Sequence, residues 1–217
     1  MSTPTTPARV AVRRHPERGA YDAATIHAIL NEGFLCHVGF VDDAQPFVIP
    51  TLYARIGDTL YLHGSPLNRM LRHLADGFPL CVTVTLVDGL VLARSAFHHS
   101  INYRSVVVLG RGRVVTEPDE KEAALCALVD HVVPGRSDDA RGPNAGEVKA
   151  TLVVAVPLAE ASAKARTGPP KDAPDDYALG VWAGEIPLRL QAMEPIPDAR
   201  LEPDIATPGY ARRYRRG

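Results

Sequence analysis

The run His63-Gly64-Ser65-Pro66-Leu67-Asn68-Arg69 carries more chemistry per position than any other part of this chain. It follows a strand-like segment, 59–63, and enters a pattern in which Leu67, Met70, Leu71 and Leu74 share one helical face. The pattern predicts a helix over 66–75, with Pro66 in the first turn, where a missing N–H costs nothing. A helix start presents unpaired N–H groups and a partial positive charge. Ser65 adds a hydroxyl donor, and Arg69, one turn in, adds a guanidinium that can grip an anion through two nitrogens. A phosphate monoester suits this set of donors. The same residues also read as an ordinary strand–turn–helix with a capping serine and a solvated arginine. The P-loop spacing is absent. His63 stands directly before the turn and belongs to the one residue type that titrates near neutrality.

Two further segments interrupt apolar strand patterns. Ser100-Ile101-Asn102-Tyr103-Arg104-Ser105 leads into a very apolar strand, 106–115. It reads as a rim that binds a ligand, or as a loop whose Arg104 pairs with a carboxylate. The segment Pro46-Phe47-Val48-Ile49-Pro50-Thr51-Leu52-Tyr53 carries a proline inside a strand. Proline cannot donate to a ladder, so this strand lies at an edge or opens to one side, leaving backbone groups free for the polar rim of a planar ligand.

Other reactive residues form no set. His98 and His99 are adjacent, which on a strand points them apart, and no third group stands at metal-ligand spacing, so no metal site is expected. His27 and His131 fall in helical patterns and read as surface or packing residues. Cys36 and His37 are neighbours on a strand, and no Ser-His-Asp or Cys-His arrangement is visible. Gly110-Arg111-Gly112-Arg113 reads as a bulged strand. The three cysteines, Cys36, Cys81 and Cys126, lie far apart in apolar segments, as buried thiols of a reducing cytoplasm would.

The elements that must position these residues follow from periodicity. A helix is expected over 22–32, capped by Asp22 and stopped by a left-handed Gly33. Strands are expected over 34–41, 47–55, 59–63, 79–87, 90–94, 106–115 and 151–156, with a longer helix over 119–133. Gly57-Asp58 and Asp88-Gly89 read as two-residue hairpin turns. Links this short exclude parallel crossovers, so the fold class is mainly β, antiparallel, a barrel or sandwich with peripheral helices.

From residue 167 onward the apolar pattern breaks up and eight of the 19 prolines occur. We therefore divide the chain into a flexible arm (1–20), a globular domain (21–166) and a Pro-rich extension (167–217) that wraps the surface or a partner subunit. Trp182 is the extension's one large apolar anchor. The terminal Arg212, Arg213, Arg215 and Arg216 read as a solvated end.

The 217 residues are 46% hydrophobic and 23% charged, with a formal charge of −1. This ordinary globular mixture excludes general disorder, and without a basic surplus neither nucleic acid nor an anionic membrane is an expected partner. No apolar run reaches the roughly 18 residues of a membrane span. Residues 1–14 lack the apolar core of a secretory signal. A soluble cytoplasmic protein is the expectation.

In order and spacing, Pro46–Tyr53, Leu60-Tyr61-Leu62-His63 with Asn68-Arg69, and Tyr103–Gly110 resemble the flavin-nucleotide-binding proteins of the pyridoxamine 5′-phosphate oxidase-like superfamily, its nitroimidazole-resistance branch in particular. The resemblance covers roughly 21–156. It implies a split β-barrel homodimer with FMN at the subunit interface, and it turns the choice at 63–69 toward the phosphate seat. It also implies that Ile49, Pro50, Thr51 and Leu52 line the isoalloxazine through main-chain contacts. His63, Gly64 and Ser65 would follow the ribityl chain, Asn68 and Arg69 would hold the phosphate, and Ser105 and Arg104 would reach in from the other subunit. His63 becomes the candidate catalytic proton donor, with the flavin carrying electron or hydride transfer to a small-molecule substrate from a donor such as NAD(P)H. The implied alternatives are a non-catalytic flavin carrier or sensor, and a haem- or deazaflavin-binding member of the superfamily. Pyridoxamine phosphate oxidases end in an Arg-x-His segment, where this chain has Val181-Trp182-Ala183-Gly184-Glu185-Ile186-Pro187-Leu188, so pyridoxamine phosphate is not the expected substrate.

Overall fold

The structure is a computed structural model describing residues 9–216, so residues 1–8 of the expected arm lie outside the described residues. Its strands are β1 (Gly19–Ala20), β2 (Leu35–Asp42), β3 (Gln45–Leu52), β4 (Ala54–Ile56), β5 (Thr59–Gly64), β6 (Pro79–Leu92), β7 (Ser100–Arg111), β8 (Arg113–Val114), β9 (Leu152–Pro157), β10 (Ala161–Arg166) and β11 (Gly184–Pro187). The helices are α1 (Ala23–Glu32), α2 (Arg69–Ala75), α3 (Pro118–Val132), α4 (Arg136–Asp139), α5 (Ala145–Ala150) and α6 (Gly209–Arg212). Every strand pairing is antiparallel. The larger sheet runs β1-β10-β7-β6-β2-β3, with β11 added to β6, and the smaller runs β4-β5-β9-β8.

One core joins the two sheets. Val38, Phe40, Val82, Val84, Val106 and Val108 from the larger sheet meet Leu60, Leu62, Val154 and Val156 from the smaller, with α1 adding Ile26, Ile29 and Leu30 and α2 adding Met70, Leu71 and Leu74. The chain passes between the sheets four times, and two of these passages, at Tyr53 and Gly112, are tightly packed. At Tyr53, fully buried, the phenol donates to the Leu30 carbonyl at 2.6 Å and fixes the end of α1. At Gly112 the backbones pass so closely that a Cβ would sit 2.5 Å from Val154 Cγ1 and 3.0 Å from the Leu74 carbonyl oxygen.

Several expectations are corrected. The segment 47–55 is two strands, because Tyr53 turns inward between sheets. Asp88-Gly89 is no hairpin: β6 continues to Leu92, and its register against β7 shifts between Val87 and Gly89. Arg104 across the ladder takes the Asp88 carboxylate, and the Asp88 carbonyl accepts from Leu188 N–H, so the long partner strand overrides the local turn signal. Residues 100–105 are the start of β7, not a loop. The series of strands does not end near 156, since β10 follows in the larger sheet; its small residues (Ala161, Ser162, Ala163) are buried against β7 but lack the β-branched pattern that marks a strand. Gly33 stops α1 in an extended conformation with φ −71. Three short helices, α4, α5 and α6, have no counterpart among the expected elements.

Within the expected arm, Val10 is buried, β1 extends the sheet beside β10, and Val12 N–H donates to the Tyr21 hydroxyl at 2.8 Å, while most of 9–17 is exposed. The extension begins where β10 ends, at Arg166. That guanidinium is buried, bonding to Asn102 Oδ1 and to the carbonyls of Gly168 and Pro169, and Asn102 in turn donates to Glu185. These polar groups, not Trp182, pin the extension; the indole is 66% exposed. Nor is the end of the chain solvated throughout. Arg216 turns back onto the carbonyls of Asn31, Glu32, Gly33, His131 and Val132, and lies 5.1 Å over the Phe34 ring.

That contact has a consequence at His131. Its Nε2 lies 2.7 Å from the Gly33 carbonyl and its ring packs on Tyr53. Burial first, then the Arg216 charge, push the imidazole down to about 4. A histidine depressed in the folded state stabilises only while neutral. Its contribution is therefore complete above the ordinary value near 6.5 and is lost as pH falls toward 4. After discounting for its half-exposed setting, His131 should account for about 1–2 kcal/mol of acid destabilisation. Urea titrations at pH 7 and pH 4.5 check this: His131→Gln should flatten the pH dependence, and an unchanged slope would refute the assignment.

Candidate functional site

The helix after the 63–69 turn starts later than expected. α2 begins at Arg69, and the cap is Asn68, whose Oδ1 accepts from Leu71 N–H at 3.1 Å. Ser65 closes the turn instead: its carbonyl accepts from Asn68 N–H at 2.9 Å and its Oγ from Leu67 N–H at 3.2 Å. Pro66 sits in the turn, outside the helix. Ser65, Asn68 and Arg69 are all exposed, so the seat is open to a ligand.

Arg69 links this turn to β3. Its guanidinium carbon lies 4.0 Å above the Phe47 ring, and it has no carboxylate partner among the described residues. Phe47 stacks on Phe40, which packs on His73, which stacks on Phe78, so α2 is tied to β2 and β3 by one aromatic column. β3 is the last strand of its sheet, as Pro46 and Pro50 led us to expect, and its outer edge is unpaired among the described residues. Along it, Phe47, Ile49 and Thr51 are half-buried, while Val48, Pro50 and Leu52 are exposed. Of the four residues expected beside the ring, then, Ile49 and Thr51 turn toward the core and Pro50 and Leu52 face outward.

His63, the last residue but one of β5, lies opposite Val153. Among the described residues, its Nδ1 is the buried side-chain polar atom that has no hydrogen-bond partner. Burial pushes the imidazole below its ordinary value. The ring is therefore neutral at pH 7, and better suited to accept or share a proton than to act as a standing acid. An orphaned buried nitrogen costs free energy until a ligand engages the ring or its surroundings shift.

Arg104 and Ser105 are not brought to this cluster within one chain. They lie on β7, three strands from β3, about 14 Å at sheet spacing. Ser105 pairs with Thr85, on the same outward face as His37, Pro50 and Leu52, and its Oγ donates to the Lys164 carbonyl. Arg104 is gripped by Glu32 and Asp88, with NH2 2.7 Å from a carboxylate oxygen of each. The sequence showed Arg104 seeking a carboxylate as one alternative; it did not show that there are two.

Tertiary contacts also create a group that spacing hid. His98 meets Asp172 and Asp176 of the extension within 4.8 Å. Asp172 accepts from the backbone N–H of Arg94 and Ser95 and from the Arg94 guanidinium, and His98 Nδ1 lies 2.7 Å from Ser95 Oγ. Arg94 supplies the counter-charge, so this cluster staples the extension to the segment that follows β6. Of the thiols, only Cys36 is buried, which pushes it up to about 12; Cys81 and Cys126 are partly exposed.

The model of the family described as pyridoxamine 5′-phosphate oxidase matches residues 22–165. The chain belongs to that family. Over 97% of its length it is similar to the flavocytochrome Anf3 of Azotobacter vinelandii, with 42% identity, a TM-score of 0.91 and 98% of that chain covered. It is 35% identical to an FAD and heme binding protein of Mycobacterium smegmatis, covering 90% of this chain and 96% of the other at a TM-score of 0.86. A putative 5-nitroimidazole antibiotic resistance protein of Bacteroides thetaiotaomicron is 25% identical, covering 67% of this chain and 85% of that one at a TM-score of 0.55. Comparison with curated proteins gives no match. No helix among the described residues is long and apolar enough to cross a membrane.

Proposed function

We propose that this member of the pyridoxamine 5′-phosphate oxidase family is a flavin-dependent oxidoreductase, a split β-barrel homodimer holding the FMN moiety between β3 of one protomer and the outward sheet face of the other. The observation that carries this reading is the meeting of β3's free edge with the 63–69 turn, through Arg69 on Phe47. Arg69, with the amide nitrogen of Asn68 left free by capping, would hold the phosphate. The edge of β3 over 49–52 would meet the polar rim of the ring. His63, neutral and unpartnered, would orient the ligand through a hydrogen bond. A bound flavin supplies electron or hydride transfer. Homodimerisation has its own support: Leu35, Val48 and Leu52, on β2 and β3, are 44%, 67% and 38% exposed, an apolar outward patch for a second copy to cover.

The test is the visible spectrum of the purified protein, then mass identification of what heating releases, then bleaching by NAD(P)H. Arg69→Ala should weaken flavin binding by about 1.5–3 kcal/mol, the usual loss for a hydrogen bond to a charged group. His63→Ala should reduce turnover more than flavin retention. Unchanged affinity in the first variant would remove the phosphate assignment.

A second reading is favoured by the two relatives that share the extension, one a flavocytochrome and the other an FAD and heme binding protein. The nitroimidazole relative covers only 67% of this chain. An imidazole that ligates haem iron must offer an uncommitted ring nitrogen. His63 and the exposed His37, which has no side-chain partner among the described residues, are of that kind. A Soret band after expression with added haem would support haem binding, and loss of that band in His37→Ala or His63→Ala would assign the ligand.

A further inference from the structure

Among the described residues, the span 189–208 of the extension makes no hydrogen bond to the domain it crosses. The bonds it makes close turns within the span, as at Asp198 with Arg200 and Leu201. Nearly all of it is exposed. This strap is fastened at its ends. At the near end Leu188 N–H donates to the Asp88 carbonyl at 2.9 Å. At the far end the Tyr210 hydroxyl takes a hydrogen bond from Arg136 at 2.6 Å, the Tyr214 hydroxyl donates to the Val132 carbonyl at 2.8 Å, and Arg216 is the last hook. Between strap and outward sheet face lies a cavity of about 1130 Å³, with Leu35, Thr85 and Val87 on its floor and residues 187–192 and 212–216 as walls. One wall therefore stands only while the far end is held.

The seat of Arg216 suits a guanidinium and no other side chain. α1 and α3 end at one point there, and each helix end carries unpaired carbonyls and a partial negative charge. Nε donates to the Glu32 carbonyl at 2.7 Å. One terminal nitrogen donates to the carbonyls of Asn31 at 3.1 Å and Gly33 at 2.8 Å, and the other to those of His131 and Val132, the latter at 3.2 Å. The five N–H groups of the side chain thus each have a carbonyl. The Phe34 ring lies 5.1 Å from the guanidinium carbon. No carboxylate takes part, because that of Glu32 is held by Arg104. An ammonium, with three donors and no plane, would leave part of this seat unfilled.

We propose that the joined ends of α1 and α3 are a guanidinium receptor with Arg216 as its built-in ligand, and that this hook closes the strap 189–216 over the cavity. A free alkylguanidinium, the arginine side chain of a peptide included, competes for the same seat and opens the strap. None of this rests on the flavin reading.

The experiment follows hydrogen exchange of the full chain by mass spectrometry, peptide by peptide. Arg216→Ala should speed exchange over 209–216 by about 10- to 100-fold, the range lost with hydrogen bonds to a charged group, and Arg216→Lys should recover only part of the protection. In the natural chain, ethylguanidinium at about 50 mM exceeds the millimolar effective concentration of a tethered group and should bring 209–216 toward the rate of the alanine variant. Ethylammonium at the same concentration should leave it unchanged. Were Arg216 only a cap on the two helices, its removal would speed exchange at the ends of α1 and α3 and leave 209–216 as before. That result, or an equal response to the two cations, overturns the proposal. Peptides of β5 and β9 report the fold; if the alanine variant loses protection there too, the ethylguanidinium arm, which needs no substitution, decides. Alkylation of Thr85→Cys on the cavity floor by iodoacetamide should quicken under the same treatments. A constant rate while 209–216 is released would overturn the closure of the cavity.

Discussion

Gly112→Ala is expected to destabilise the protein by about 2–4 kcal/mol, measured as a drop in the urea midpoint at unchanged slope. Gly112 lies between β7 and β8, where the chain leaves one sheet for the other. An added methyl would meet Val154 Cγ1 at 2.5 Å and the Leu74 carbonyl at 3.0 Å. One obstacle is a β-branched side chain fully buried in β9 and the other is backbone of α2, so neither can step aside without moving the core. Gly110, two residues earlier, supplies the control: a Cβ there would meet only Val156 Cγ1, at 4.0 Å. Gly110→Ala should therefore change stability by less than about 1 kcal/mol. Equal effects at the two positions would show that the crossing is not tight.

Arg104→Ala should cost about 2 kcal/mol at neutral pH, less than the 3–5 kcal/mol of a fully buried pair because these groups are partly solvated. The loss arises mainly from what remains. Glu32 at the end of α1 and the Asp88 bulge of β6 would face one another with their shared cation gone. Arg104→Lys should recover only part of the loss, since one ammonium cannot present two forks. Urea denaturation at pH 7 measures both effects; a lysine variant as stable as the natural chain would contradict the double pairing.

Local signals were read well where a single element decides them. Asp22 caps α1 as its side chain and position imply. Alternation placed Val82 and Val84 in the core, and Pro46 and Pro50 marked β3 as an edge. They failed where a long-range partner outweighs a local preference. Asp88-Gly89 has turn chemistry, but β7 alongside β6 makes it a bulge. Pro66 is a good first helical residue, yet Asn68 is the better cap and moves the start of α2. The segment 161–166 is a strand only because β7 has room for small residues.

The sequence alone determined the antiparallel β class, the family, and the two segments, 46–53 and 63–69, that build the candidate site, because each is written in local periodicity or in residues at fixed spacing. The tertiary structure decided which of those residues meet. It placed Arg69 on Phe47, left His63 Nδ1 unpartnered, set Arg104 between two carboxylates, and turned an arginine-rich end into the wall of a cavity. These depend on groups tens to hundreds of residues apart in the chain, whose proximity is fixed by packing and appears in no local pattern.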